Sequence, residues 1–379
     1  MSARELIAEG LHRSGGLRVL ERVARSYEVR RDANSRWPRM SRVASGKFAI
    51  LCYHRVGAGG IPFYSELPAE AFEAQMKFLR KHYRVVSLEQ LLREIRDPES
   101  KSQAVAITFD DGYRGLYTEA LPILKKYQIP ATVYLIAGAV ETGEVAWYDR
   151  IFLALQTVPE GVFEIELGRA YRFDLATPAS RVAAASQINA CLREIPDERR
   201  REYCAALEKR VALPPDELVN RMLSWDQVRE MERAGIVFGA HTMSHPALSR
   251  LKPQDAEREL RESRLLIEER LKRPVADFAF PFGKPADCGE GADALLERCG
   301  YRSAVTTSDG INRTGANPYR LRRPGIDLNG PLSLFAFHMN QAFLRGQEEP
   351  EAGALPQDSS AVAAADSARA MESRVKLDA

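Results

Sequence analysis

Residues 104–113 read AVAITFDDGY. A run of apolar and β-branched residues without polar alternation describes a strand covered on both faces, and the Asp110-Asp111-Gly112 that closes it is a turn sequence. The same pattern recurs on either side. Upstream, residues 48–53 (FAILCY) form another short apolar run, followed over residues 68–83 by Phe72, Met76 and Leu79 at helical spacing. Downstream, a helix is expected to about Tyr127, where Gln128-Ile129-Pro130 stops it, and residues 131–136 (ATVYLI) read as the next strand. Farther on come a helix over 225–234, a strand over 236–240, and a helix opening at Pro253, a residue suited to a first turn. Ala256, Leu260, Ile267 and Leu271 share one face of that helix. Strands over 275–280 and 302–306 and helices over 292–299 and 332–343 complete the series. Buried strands alternating with helices predict an α/β fold with a parallel sheet covered by helices.

The rhythm breaks between residues 144 and 223. This stretch contains one expected hairpin, FEIELGRAYRF (163–173) with Gly168 at the turn, and charged helical segments such as 197–211. It reads as an insertion between a first part of the main domain (47–143) and a second (224–345). Residues 1–46 form a basic amphipathic extension; residues 1–47 hold 11 Lys/Arg against 5 Asp/Glu. Two readings stay open for it: a solvated helix, or weak peripheral contact with an anionic membrane surface. Residues 347–379 hold 7 acidic and 3 basic side chains with little aromatic content, and 346–379 is expected to be a disordered acidic tail.

Composition narrows the function. The chain has 379 residues, 45% hydrophobic and 28% charged, with 54 basic and 52 acidic side chains and a net charge of +2. This balance argues against a dedicated nucleic-acid binder. There is no run of 18 apolar residues, and the N-terminal stretch lacks the uninterrupted apolar segment of a signal peptide. The expectation is a cytoplasmic protein with optional contact at the inner membrane. Five scattered cysteines (Cys52, Cys191, Cys204, Cys288, Cys299) without CxxC spacing read as reduced, mostly buried thiols.

Three motifs stand just past the C-terminal ends of predicted parallel strands, the rim where (β/α) folds place their sites: Thr108–Tyr113 (TFDDGY), His241–His245 (HTMSH) and Phe278–Gly283 (FAFPFG). Each alone is ordinary: a turn, a surface histidine pair, a strand end. Together they bring two imidazoles and a carboxylate to one rim. Three such ligands leave open positions on a divalent ion, the pattern of catalytic sites. Of two adjacent carboxylates, one can bind the metal and the other stay free as a base.

With these residues in hand, the sequence resembles the polysaccharide deacetylases of the NodB-homology family (carbohydrate esterase family 4), over roughly residues 47–140 and 224–330. The leading LCYHRV (51–56) is similar to the branch with an early Tyr-His motif, that of the poly-β-1,6-N-acetylglucosamine deacetylases. The resemblance implies a distorted (β/α) barrel. Asp111, His241 and His245 would bind a divalent metal, zinc first, with cobalt or nickel as alternatives. Asp110 would be the general base acting on the water that the metal activates. The backbone N–H of Tyr113 would help stabilise the oxyanion, and Pro281 and Phe282 would shape the pocket wall. The implied partner is an N-acetylated glycan, and the implied reaction is removal of its N-acetyl groups.

The sequence also departs from the family. The late Leu-x-His motif is missing, and the only histidine after residue 245 is His338 in FAFHMN. The third motif supplies no arginine. His54, directly after strand FAILCY, is the better candidate for general acid, with a hydrogen-bonded rim histidine as the other reading. Arg322 or Arg323, in LRRPGID, is a candidate for the missing arginine, with ordinary core-edge ion pairing the alternative. Trp147 and Trp225, flanking the insertion, read as anchors before sugar platforms, and Cys288 as a packing thiol. Three competing functions remain: a glycan-binding domain that has lost turnover, a different C–N hydrolase on the same fold, and an Fe(II) oxygenase using the same ligand triad on an antiparallel double-stranded barrel.

Overall fold

A computed structural model describes residues 46–57, 66–211, 221–326 and 328–345. Residues 1–45, most of the expected basic extension, and 346–379, the expected acidic tail, lie outside the described residues. In chain order the elements are β1 (Lys47–Tyr53), α1 (Ala69–His82), α2 (Leu88–Arg96), β2 (Gln103–Phe109), a π-helical turn (Leu116–Ala120) running into α3 (Leu121–Tyr127), β3 (Ala131–Leu135), α4 (Ala137–Thr142), α5 (Trp147–Thr157), β4 (Val162–Glu166), β5 (Ala170–Asp174), α6 (Pro178–Glu194), α7 (Asp197–Arg210), α8 (Trp225–Arg233), β6 (Val237–Ala240), α9 (Pro253–Leu271), β7 (Asp277–Ala279), α10 (Pro285–Cys288), α11 (Ala292–Arg298), β8 (Ser303–Val305), β9 (Asn312–Arg313) and α12 (Leu332–Arg345).

The described chain divides into two compact units, one of residues 46–57, 66–144 and 221–345, the other of residues 145–211. The first is built on a curled seven-stranded sheet in the order β8-β7-β6-β3-β2-β1-β9, a half-barrel with helices. Every pairing is parallel except β1 with the two-residue β9. The expected barrel is therefore open, with β8 and β9 at its edges. It is not the antiparallel double barrel that the oxygenase reading requires.

Strand alternation sorts the core into two sets. Ala49, Leu51 and Tyr53 of β1 and Val105, Ile107 and Phe109 of β2 join the larger cluster, which also takes Phe72, Met76 and Leu79 of α1 and Leu260 and Ile267 of α9. Phe48 and Ile50, Ala104 and Ala106, and Tyr134 point the other way and pack with Ala279 and Val305. Small alanines on β2 leave room for the Tyr134 and Phe48 rings in this inner layer. Because β1, β2, β6 and β7 run parallel, their C-terminal ends share one edge, and Tyr53 lies in register with Phe109, and Ala240 with Phe278.

The second unit has its own core. Trp147, Ile151, Phe152 and Leu155 of α5 are buried, as are Ala184, Ala185, Ile188 and Leu192 of α6. The β4–β5 hairpin pairs Phe163 with Phe173 and turns through Gly168 at φ +76, as the FEIELGRAYRF reading expected. Trp147 lies under the Arg200 guanidinium at 4.8 Å, an anchoring contact. Among the described residues no helix is long and apolar enough to cross a membrane.

Candidate metal centre and its paired carboxylate

Asp111, His241 and His245 are all buried, with their ligand atoms within 4.8 Å of one another. Nε2 of His241 is 3.5 Å, and Nε2 of His245 3.6 Å, from Asp111 Oδ1. Nδ1 of His241 lies 2.7 Å from the Ala279 carbonyl, which can only accept, so Nδ1 is the donor nitrogen and Nε2 is the one turned toward Asp111. The two edges from Asp111 Oδ1 to the imidazole nitrogens, 3.5 and 3.6 Å, match the edges of a tetrahedron with ligand distances of roughly 2.0–2.2 Å. The donor set and its spacing fit a divalent ion.

The backbone is bent to make this set. Asp111, Thr242, His245 and Phe282 all have positive φ (73, 67, 57 and 59°), four of the six such non-glycine residues described. This conformation disfavours a side chain, and its concentration here singles the region out as a candidate site. Neighbouring contacts hold it. Ile136 donates to the Asp111 carbonyl, and Ala137 and Gly138 donate to the Thr242 and Met243 carbonyls. The Thr242 hydroxyl accepts from the His245 amide. Glu259 on α9 accepts from the amides of Met243 and Ser244 and from the Ser244 hydroxyl. The Phe282 ring meets His245 edge-on at 4.8 Å, and Pro281 before it is buried.

Asp110 faces a different partner. Arg323 donates from Nη1 to Oδ1 (2.8 Å) and from Nη2 to Oδ2 (2.7 Å), a two-pronged pair buried on both sides. Its Nε is bonded to the Thr306 carbonyl. Burial alone would push the Asp110 carboxyl up. The Arg323 charge and hydrogen bonds outweigh it and hold the group well below the ordinary carboxylate range. Of the two arginines in LRRPGID, Arg322 turns outward to the Asp309 carbonyl and Arg323 enters the site.

His54 stands at the rim, its side chain 52% exposed and its Nε2 4.0 Å from Asp110 Oδ2. Cys52 Sγ donates to the same oxygen from 3.4 Å. Tyr113 is buried beneath the Arg55 guanidinium, 3.9 Å from its ring centre, and bridges to Met222. His338 lies on α12 with its ring 6.0 Å from Phe337; neither group of ligating residues among the described residues includes it. Trp225 donates to Glu141, and Cys288 is buried against the Lys284 carbonyl, both structural contacts.

Sequence reading placed the three motifs on one edge. It missed Glu259, whose carboxylate looks like one more charge on the solvated side of α9, and could only offer Arg323 as one of two candidates. A buried pair 213 residues apart leaves no periodic signal.

The polysaccharide deacetylase family model matches residues 97–304, more than half of the chain, and the protein belongs to that family. It is 23% identical over 305 residues to YxkH of Bacillus subtilis, named for the same family, covering 80% of this chain and 79% of that one. It is 29% identical over 147 residues to the poly-β-1,6-N-acetyl-D-glucosamine N-deacetylase of Staphylococcus aureus, a match over 34% of this chain and half of that enzyme. The fold is also that of the Streptococcus pyogenes deacetylase PplD, with a TM-score of 0.51 at 20% identity over 78% of this chain and 97% of that one.

Proposed function

We propose that this protein is a metal-dependent hydrolase that removes N-acetyl groups from the amino sugars of a polysaccharide or glycolipid precursor, with a β-1,6-linked N-acetylglucosamine chain the first substrate class to test. The observation that carries the reading is the division of labour between adjacent carboxylates: Asp111 with the two histidines, Asp110 with Arg323. Pure glycan binding has no use for a second buried carboxylate kept ionised beside a ligand triad. Arg323 also makes up for the arginine missing from the third motif, and so weakens the binding-only alternative. The staphylococcal relative's name supports the substrate class.

In this proposal Asp111, His241 and His245 hold the divalent ion, zinc first, with cobalt or nickel able to replace it. When bound, the ion supplies a Lewis acid for the acetamide carbonyl and makes a water more acidic. Asp110, ionised and aimed by Arg323, takes the proton of the attacking water. The backbone N–H of Tyr113 donates to the carbonyl oxygen as it gains charge. His54 gives a proton to the amine nitrogen as the C–N bond breaks; otherwise the tetrahedral adduct reverts. Pro281 and Phe282 wall the acetyl pocket beside His245.

The test is acetate release from chito-oligosaccharides, β-1,6-linked N-acetylglucosamine oligomers and nucleotide- or lipid-linked N-acetyl sugars. It is run on chelated protein and again with zinc, cobalt or nickel restored. Metal-dependent release that disappears in Asp110→Asn supports the proposal. Bound glycan without release under any metal returns the weight to binding alone.

A further inference from the structure

A second set of ligating atoms gathers around Asp110. Cys52 Sγ, a His54 ring nitrogen and an Asp110 oxygen lie within 4.8 Å of one another, and Cys52 Sγ is 3.4 Å and His54 Nε2 4.0 Å from Asp110 Oδ2. The geometry follows from two neighbouring strands. Cys52 and His54 are two residues apart at the end of β1, and Cys52 lies in register with Thr108, two residues before Asp110. A tetrahedral zinc with one thiolate, one imidazole and one carboxylate has ligand–ligand edges of roughly 3.3–3.6 Å. The Cys52–Asp110 edge already has that length. The His54 ring, half in solvent, closes the others by turning about its own side-chain bonds.

We infer that Cys52, His54 and Asp110 form a second site for a zinc-class cation, weaker than the Asp111–His241–His245 set, and that filling it switches the protein off. A thiolate and an imidazole select soft, borderline ions such as zinc and cobalt over magnesium or calcium. On binding, the Cys52 S–H proton leaves to solvent, a metal–sulfur bond forms, and no oxidant or reductant is needed. Arg323 keeps its hydrogen bonds to the two Asp110 oxygens, each of which retains a further lone pair; its positive charge is what makes this site the weaker one. Occupancy takes His54 and Asp110 out of proton transfer together. That inhibitory consequence rests on the proposed deacetylase reading; the site itself does not.

The experiment is a cobalt titration of the metal-free full-length protein, followed by absorption and, in parallel, by acetate release. Histidine and carboxylate ligands give cobalt only weak visible bands, whereas a thiolate adds a strong near-ultraviolet charge-transfer band. The first equivalent should bring activity without that band. Further cobalt should raise the band while activity falls by about a hundredfold or more, the scale of losing acid–base assistance. Cys52→Ser and Cys52→Ala should each lack the band, and their activity, whatever its level, should stay flat beyond the first equivalent. Asp111→Asn should keep the band and lose the first phase. No band in the unsubstituted protein at large cobalt excess overturns the site, as does a band that survives both Cys52 variants, and a band that rises without loss of activity overturns its inhibitory role. If acetate is never released but the band behaves as described, the deacetylase reading fails and the cation site stands.

Discussion

Asp110 and Asp111 are neighbours with opposite assignments, and the backbone turn between them sends one carboxylate to a guanidinium and the other to two imidazoles. Arg323 is the side chain that keeps buried Asp110 ionised, as the proposed role of base requires. Arg323→Lys keeps the charge but loses the planar fork, and kcat should fall by about 10- to 100-fold with KM little changed. Arg323→Met leaves a buried carboxylate without its cation and should lower stability by about 3–5 kcal/mol, read by urea unfolding. His54 carries the pH prediction. Burial of its inner edge pulls the imidazole below its ordinary value, the Arg323 and Arg55 charges add to this, and Asp110 opposes it. A proton donor works only while charged, so kcat/KM should decline as pH rises through that lowered value. His54→Asn should remove this alkaline limb along with most of the rate, and a profile whose limb survives the substitution assigns the acid elsewhere.

At the scale of elements, α4 and α9 hold the histidine loop between them. Gly138 on α4 donates to the Met243 carbonyl, and a Cβ there would stand 2.5 Å from that oxygen. Gly138→Ala should displace the 241–245 loop and weaken metal affinity by about tenfold or more, measured by competition with a chelating dye, with little change in helix content. The short strand β7 carries a different liability. Asp277 is buried, and the loss of solvent raises its carboxyl above the ordinary value, with the Ser303 hydroxyl partly opposing. The folded state then holds this proton more tightly than the unfolded state does, so the group costs stability as pH rises through the ordinary carboxylate value and beyond. Asp277→Asn, which retains an acceptor for Ser303, should raise Tm at neutral pH, and the gain should vanish in acid. An equal gain at both pH values would reject this account.

For the whole molecule, the parallel sheet decides that residues far apart in sequence share one edge. A metal held there binds the folded chain and not the unfolded one, so zinc should raise Tm. At about 100 times the dissociation constant the stabilisation is about 2.7 kcal/mol. Asp111→Asn should abolish that shift in a thermal scan, and an undiminished shift in that variant would place the ion elsewhere.

The alternation of buried strands and helices, the hairpin at Gly168 and the three motifs at strand ends were legible because period and turn chemistry are local properties of a chain. Short amphipathic α2 and the site-supporting α4 were not recognised, since nine and six residues carry little periodic signal. The 275–280 run shrank to β7 (Asp277–Ala279), because only those residues find parallel partners in β8. By itself, then, the sequence determined the fold class and the residues facing the rim. Only the tertiary structure decided that Arg323 rather than Arg322 enters the site, that Glu259 clamps the histidine loop, and that Cys52 and His54 converge on Asp110. These are contacts between distant segments, set by how the strands stack and curl, and no local pattern encodes them.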